Sequence, residues 1–188
     1  MSALKEPPEM VILDRDGVVL QHVQPYILTM GDVSFVKGSD LAIRAAAAAG
    51  VHLAVVTNQS PIGRGLVTES FVDSVDRWIR DQVGLCERVL PTYRCPHTNE
   101  DRCACRKPAP GLLTEAMHRA GADPRRTWMV GDHDTDMRAA LAAGIPTRLH
   151  VLSGRQTAPS PWATAEFADL AGALPADWFS QEKATQES

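Results

Sequence analysis

Short apolar runs that stop abruptly at polar residues recur along this chain. Met10–Leu13 is apolar and breaks off at Asp14, Asp16 and Gly17, the pattern of a buried strand entering a loop. His52–Thr57 is a second such run, ending in Thr57, Asn58 and Gln59. A third, roughly Arg88–Tyr93, leads into a cysteine cluster, a fourth, Thr127–Val130, runs into Gly131 and Asp132, and Pro146–Leu152 makes a fifth. Helical stretches lie between them. Ser39 is the expected N-cap of an Ala-rich helix closed by Gly50, and Thr68 the cap of a helix whose apolar positions Phe71, Val72, Val75, Trp78, Ile79 and Val83 recur at three- and four-residue steps before Gly84. Gly111–Ala120, opened by Pro110 and closed by Gly121, and Asp134–Ala143, closed by Gly144, complete the helices, and Phe167–Leu174 is one last packed element. Strands alternating with helices imply right-handed crossovers and a parallel, three-layer α/β/α sandwich of Rossmann-like type.

Composition narrows the class. The 188 residues are 44% hydrophobic and 22% charged, enough for one soluble domain with a core over about residues 10–175 and a mobile tail near residues 180–188. A net charge of −4 argues against a nucleic-acid surface, and neither a membrane span nor a signal-like N-terminus is visible, so a cytoplasmic, monomeric protein is expected. The segment 18–38 contains Pro25, Gly31 and Gly38 and is long enough to cover part of a site.

Alternate residues of an extended segment point the same way, so Asp14 and Asp16 can face a common site at the carboxyl end of the first strand. Taken alone, Asp-x-Asp-Gly is equally the composition of a turn. The other strand ends decide, because Thr57 and Asn58, Arg106 and Lys107, and Asp132 with Asp134 or Asp136 arrive at the same sheet edge. Several acids with a hydroxyl and an ammonium form an oxygen-rich site suited to Mg²⁺.

Cys95, His97, Cys103 and Cys105 offer three thiolates and one imidazole, a complete tetrahedral set for a structural Zn²⁺. A free-thiol loop and a redox pair are the alternatives, whereas Cys86 stands apart as a core residue. The expected work of the metal is to stiffen the loop that delivers Arg106 and Lys107.

The stretches LDRDGV, VVTNQSPIGRG, CRKPAPG and MVGDHDTD resemble, in order, the four motifs of the haloacid dehalogenase superfamily. Over about residues 10–150 their arrangement is similar to that of the D-glycero-D-manno-heptose bisphosphate phosphatases and, next nearest, the histidinol phosphatases. The resemblance implies that Asp14 is a nucleophile forming an aspartyl phosphate and that Asp16 is the acid/base. It further implies that Thr57 and Lys107 hold the transferring phosphoryl oxygens, and that Mg²⁺ is bound by the carboxylates of Asp14 and Asp132 and the carbonyl of Asp16. Asp136 is expected to orient its loop or support the metal through water, and Asp134 to cap its helix. Asn58, Gln59, Arg64 and Arg106 are the expected substrate-binding residues for a small sugar phosphate, with Arg102 a further candidate for a second phosphate. His133 stands where the family often has Lys, Pro61 where Gly is common, and Leu20 where the heptose enzymes usually have Asn. These departures bear on the substrate, with a heptose bisphosphate leading and histidinol phosphate the alternative. A catalytically idle, zinc-stabilised binding module is the competing reading from another class.

Overall fold

The computed structural model describes residues 7–176 and Phe179; the expected mobile tail lies outside the described residues. Strands β1 (Met10–Leu13), β2 (His52–Asn58), β3 (Thr92–Cys95), β4 (Thr127–Gly131), β5 (Thr147–Val151) and β6 (Ala165–Phe167) form one sheet in the order β3-β2-β1-β4-β5-β6. Every pairing is parallel. From β1 the chain winds outward to β2 and β3, then returns to the other side of β1 for β4, β5 and β6. The winding direction therefore reverses between β1 and β4, and such a reversal opens a crevice at the carboxyl ends of the strands.

Strand periodicity sorts the core into two layers. Val11 and Leu13 of β1, Leu53 and Val55 of β2, and Trp128 and Val130 of β4 face helices α1 (Ser39–Ala48), α3 (Glu69–Val83) and α6 (Leu170–Ala173). Their neighbours Met10, Ile12, Ala54, Val56 and Met129 face α4 (Gly111–Ala120) and α5 (Asp134–Ala142). A strand covered on both faces must be apolar throughout, which is why β1 is unbroken MVIL, each large side chain contributing roughly 1.5–3 kcal/mol on burial. Among the described residues no helix is long and apolar enough to cross a membrane.

Three expected boundaries move, each for a local reason. Ser39 is the first residue of α1 and not its cap: Gly38 takes that position at φ +77°, and the Ser39 hydroxyl donates to the Val19 carbonyl at 2.8 Å. The third strand begins at Thr92, because Cys86–Leu90 closes into a turn with the Val89 and Leu90 amides both on the Cys86 carbonyl, and Cys86, expected in the core, is exposed on that turn. Pro91 has no N–H to give a ladder, although its carbonyl accepts from Val55. The last packed element resolves into the short strand β6 followed by α6.

Segment 18–38 lies over the end of the sheet, pinned by bridges from Leu20 to Asp16 and Phe35, with Phe35 stacked on Trp78 of α3 at 5.0 Å between ring centroids. His22, Gln24 and Tyr26 of this segment line the crevice.

Candidate active site

Asp14 follows directly on β1, its amide bonded to the Val130 carbonyl of β4 at 2.9 Å, so it sits at the reversal point. Lys107 reaches it from the cysteine loop. The Lys107 ammonium is buried and has three acceptors: Asp14 Oδ1 at 2.8 Å, the Val56 carbonyl at 2.8 Å and Asp136 Oδ1 at 2.7 Å. An ammonium has three N–H groups, and all are used. Burial works against the charge on Lys107, but Asp136 and Asp14 outweigh it and raise its pKa. Asn58 fixes the lysine backbone, donating to the Lys107 carbonyl and accepting from its amide, both at 3.0 Å.

One ammonium does not balance the acids. Oxygens of Asp14, Asp132 and Asp136 lie within 4.8 Å of one another. Burial, only partly offset by Lys107 and reinforced by Asp136, pushes the Asp14 carboxyl up to about 6. Burial together with Asp14 and Asp136 pushes Asp132 up to about 8. Carboxylates crowded against their own charge are a fitting donor set for a hard cation.

A pH dependence follows. Both carboxyls hold their protons more tightly folded than at their ordinary value of 3.8, so the folded state binds more protons and metal-free stability falls as pH rises from about 4 to about 8. Thermal melting of the metal-free protein between pH 4 and 8 checks this, with added Mg²⁺ expected to restore stability at the alkaline end; melting that rises steadily with pH would contradict it.

Asp132 is walled in by backbone. Its Oδ2 accepts from the Arg155 amide at 2.5 Å and its carbonyl from Gln156 at 3.2 Å, while the Ser153 hydroxyl donates to the Gly17 carbonyl at 2.7 Å. Gly17, at φ +96°, and Gly154 pack so closely here that a Cβ on Gly17 would come within 2.8 Å of the Gly154 Cα, and one on Gly154 within 2.5 Å of the Asp132 Cβ.

The cysteine loop forms a second cluster. Sulfur–sulfur separations among Cys95, Cys103 and Cys105 are 3.3–3.5 Å, and His97 Nδ1 lies 3.5 Å from Cys95 Sγ and 3.3 Å from Cys105 Sγ. These are too long for disulfides and close to the edges of about 3.4–3.8 Å expected for a tetrahedron of ligands around one metal. Arg106 extends from this loop, bonded to Asn99 Oδ1 at 2.7 Å and the His97 carbonyl at 3.1 Å. The cluster can hold a metal, and the loop that carries it delivers Lys107.

Comparison with known proteins agrees with this geometry. A relative from Yersinia pestis, a D-glycero-β-D-manno-heptose-1,7-bisphosphate 7-phosphatase, is 35% identical over 182 residues, covering 88% of this chain and 95% of its own. The chain belongs to the heptose bisphosphate phosphatase family. The enzyme of the same name from Escherichia coli K12 is 34% identical over 180 residues, covering 87% of this chain and 92% of its own. The HAD-hydrolase-like family model matches residues 104–174. Among solved structures, the D,D-heptose 1,7-bisphosphate phosphatase of B. bronchiseptica, complexed with magnesium and phosphate, superposes with a TM-score of 0.80 at 30% identity, covering 92% of this chain and 98% of that one.

Within this heptose bisphosphate phosphatase fold, a cleft of about 650 Å³ gathers Asp14, Asp16, Thr57, Asn58, Gln59, Arg106, Lys107 and Asp132. Arg64 does not join them: it is exposed just past α2 (Ser60–Gly63), outside the cleft lining, and Arg102 is likewise outside. Asn58 and Gln59 reach the cleft but are engaged by the protein, Asn58 on the Lys107 backbone and the Gln59 amide on Asp16 Oδ2 at 2.7 Å and Thr57 Oγ1 at 2.8 Å. These bonds arise because polar side chains at a strand end lie within reach of adjoining loops.

Asp134 does not cap α5. His133 does, its ring accepting from the Thr135 amide at 3.2 Å while its own amide donates to Asp136 Oδ2, and Asp134 accepts from Ser160 and Gln156 instead. Burial lowers the His133 pKa, so the imidazole holds its proton less tightly than an exposed histidine would. Sequence reasoning missed Arg138 and Arg155, which line the cleft, and the buried pair of Arg15 and Asp76. Only the phase of Asp76 within the apolar stripe of α3 signals that pair.

Proposed function

We propose that this protein is a magnesium-dependent phosphomonoesterase that removes the 7-phosphate of D-glycero-β-D-manno-heptose 1,7-bisphosphate, acting as a single monomeric domain in the cytoplasm. The observation that carries the reading is the Asp14 carboxylate at the reversal point of the sheet, gripped by a buried lysine 2.8 Å away. Identity to heptose bisphosphate phosphatases along nearly their whole length supports the substrate.

The residues have distinct tasks. Asp14 attacks phosphorus, giving an aspartyl phosphate and splitting one difficult hydrolysis into two easier steps. Asp16 protonates the departing alcohol and then takes a proton from the water that hydrolyses the intermediate. The buried Thr57 hydroxyl and the Lys107 ammonium line the same cleft and hold the transferring phosphoryl oxygens, Lys107 by exchanging its bond to Asp14 for one to phosphate. Asp14, Asp132 and the Asp16 carbonyl would hold magnesium, which when bound would supply the charge that lets a phosphate dianion approach a carboxylate. Asp136 orients Lys107. Arg106 is the cleft arginine offered to the sugar or its second phosphate. Cys95, His97, Cys103 and Cys105 hold structural zinc, and a thiolate site of this kind suits the reducing cytoplasm.

Phosphate release with Mg²⁺ tests the substrate. The kcat/KM for the heptose bisphosphate is expected to exceed that for histidinol phosphate by at least about tenfold, the discrimination one well-placed polar contact provides. Faster release from histidinol phosphate overturns the heptose assignment while keeping the phosphatase chemistry.

A further inference from the structure

Arg15 lies between the two acids of the site but does not line the cleft. Alternation sends its side chain behind them, where the guanidinium is 2% exposed. There it makes three bonds: Nε to Asp16 Oδ1 and Nη2 to Asp16 Oδ2, both at 3.2 Å, and Nη1 to Asp76 Oδ1 at 3.0 Å. Asp76 is itself buried on α3, with Arg94 of β3 at 3.7 Å on its other oxygen. Arg94 continues outward to Asp73 at 2.6 Å and stands next to Cys95 of the metal-type cluster.

A buried guanidinium is costly unless its donors are met, so this arrangement holds one geometry. We propose that Arg15, anchored by Asp76, is a positioning residue that fixes the Asp16 carboxyl for proton transfer and leaves one oxygen free to perform it. This rests on the phosphatase reading above. The donor count identifies the oxygen. Among the described residues, Oδ2 of Asp16 accepts from both Arg15 Nη2 and Gln59 Nε2, whereas Oδ1 accepts only from Arg15 Nε. A carboxylate has about four acceptor directions, so the one left over belongs to Oδ1. Asp16 is part-exposed to the cleft, and Oδ1 is the atom that carries the proton.

In the first step the bond from phosphorus to the substrate oxygen breaks as the bond to Asp14 forms, and the proton on Asp16 Oδ1 moves to the departing oxygen. Loosening Asp16 therefore damages that step only in proportion to the leaving group's need for a proton. A sugar alkoxide needs one. 4-Nitrophenolate, which keeps the electron pair as a stable anion, does not.

Rapid-quench measurement of the phosphorylation rate constant for the heptose bisphosphate and for 4-nitrophenyl phosphate, in wild type, Arg15→Lys and Asp76→Asn, tests the proposal. Lysine keeps the charge but has no fork, and Asn keeps the shape of Asp76 but not its charge. In both variants the ratio of aryl to sugar phosphorylation rates is expected to rise about tenfold or more, a part of the 10²–10⁴ that general acid catalysis supplies. Slow second-step hydrolysis should then leave an initial burst of nitrophenolate. A ratio within about twofold of wild type, in either variant that folds, reduces Arg15 and Asp76 to structural support and overturns the proposal. Asp14→Asn run alongside separates the two readings: if it still turns over, the phosphatase mechanism fails first.

Discussion

Asp14→Asn is expected to abolish turnover, by at least about 10⁴-fold in kcat, while the protein keeps its fold. An amide of the same shape cannot displace an alcohol from phosphorus, and among the described residues no other carboxylate stands in for Asp14: Asp136 is bound to Lys107, Asp132 is walled in by residues 153–156, and Asp16 is held by Arg15 and Gln59. Stability should not suffer. The Asp14 carboxyl is already pushed up to about 6 by burial, so a neutral side chain relieves a crowded charge. Lys107 loses one acceptor of charge but retains Asp136 and the Val56 carbonyl. Steady-state kinetics with thermal melting checks both halves. Hydrolysis persisting above about one per cent of wild type would remove Asp14 as the nucleophile.

Cys103→Ser, or chelation of zinc, is expected to lower the melting temperature by about 10 °C or more and to reduce kcat in parallel. Structural zinc contributes folding energy outright, and a loss of a few kcal/mol moves a domain of this size by that much. The route to activity is short: Cys105 is followed by Arg106 and Lys107, and Arg106 is tied back to His97 and Asn99 of the same loop. Asn58 still clamps the Lys107 backbone, so a remnant of activity should outlast the metal. Calorimetry with kinetics on the variant checks the pairing. Protein purified with far less than about one zinc per chain would remove the metal from the account.

Much of the site was legible because its residues close apolar runs. A buried parallel strand must be apolar, so the first charge after Leu13 marks its end, and residues at such ends converge whatever their distance along the chain. The glycines that stop helices, Gly50, Gly84, Gly121 and Gly144, all take positive φ, as their positions implied. What escaped depends on tertiary contact. β6 is three residues with a glutamate in the middle, no periodic signal at all. Arg15 and Asp76 are separated by 61 positions, and neither alone differs from a surface charge. Arg155 lies beyond the last motif, in a stretch rich in proline, alanine and serine that carries no motif of its own. Asn58 and Gln59 were placed in the cleft correctly, but a sequence does not say whether an amide faces a ligand or a neighbouring loop.

The closure of residues 153–156 over Asp132 also limits how far the chain can be shortened. The four recognisable motifs are complete by about residue 136, and the strand after them ends at Val151. A fragment cut there would retain Asp14, Asp16 and Lys107, yet lack the Ser153 hydroxyl that latches onto Gly17, the Gly154 backbone packed against Gly17 and Asp132, and the Arg155 amide bonded to Asp132. Gene boundaries drawn around motif matches alone would yield a chain with every signature residue and an unfinished wall, and any attempt to minimise or graft this site must carry the chain through Gln156.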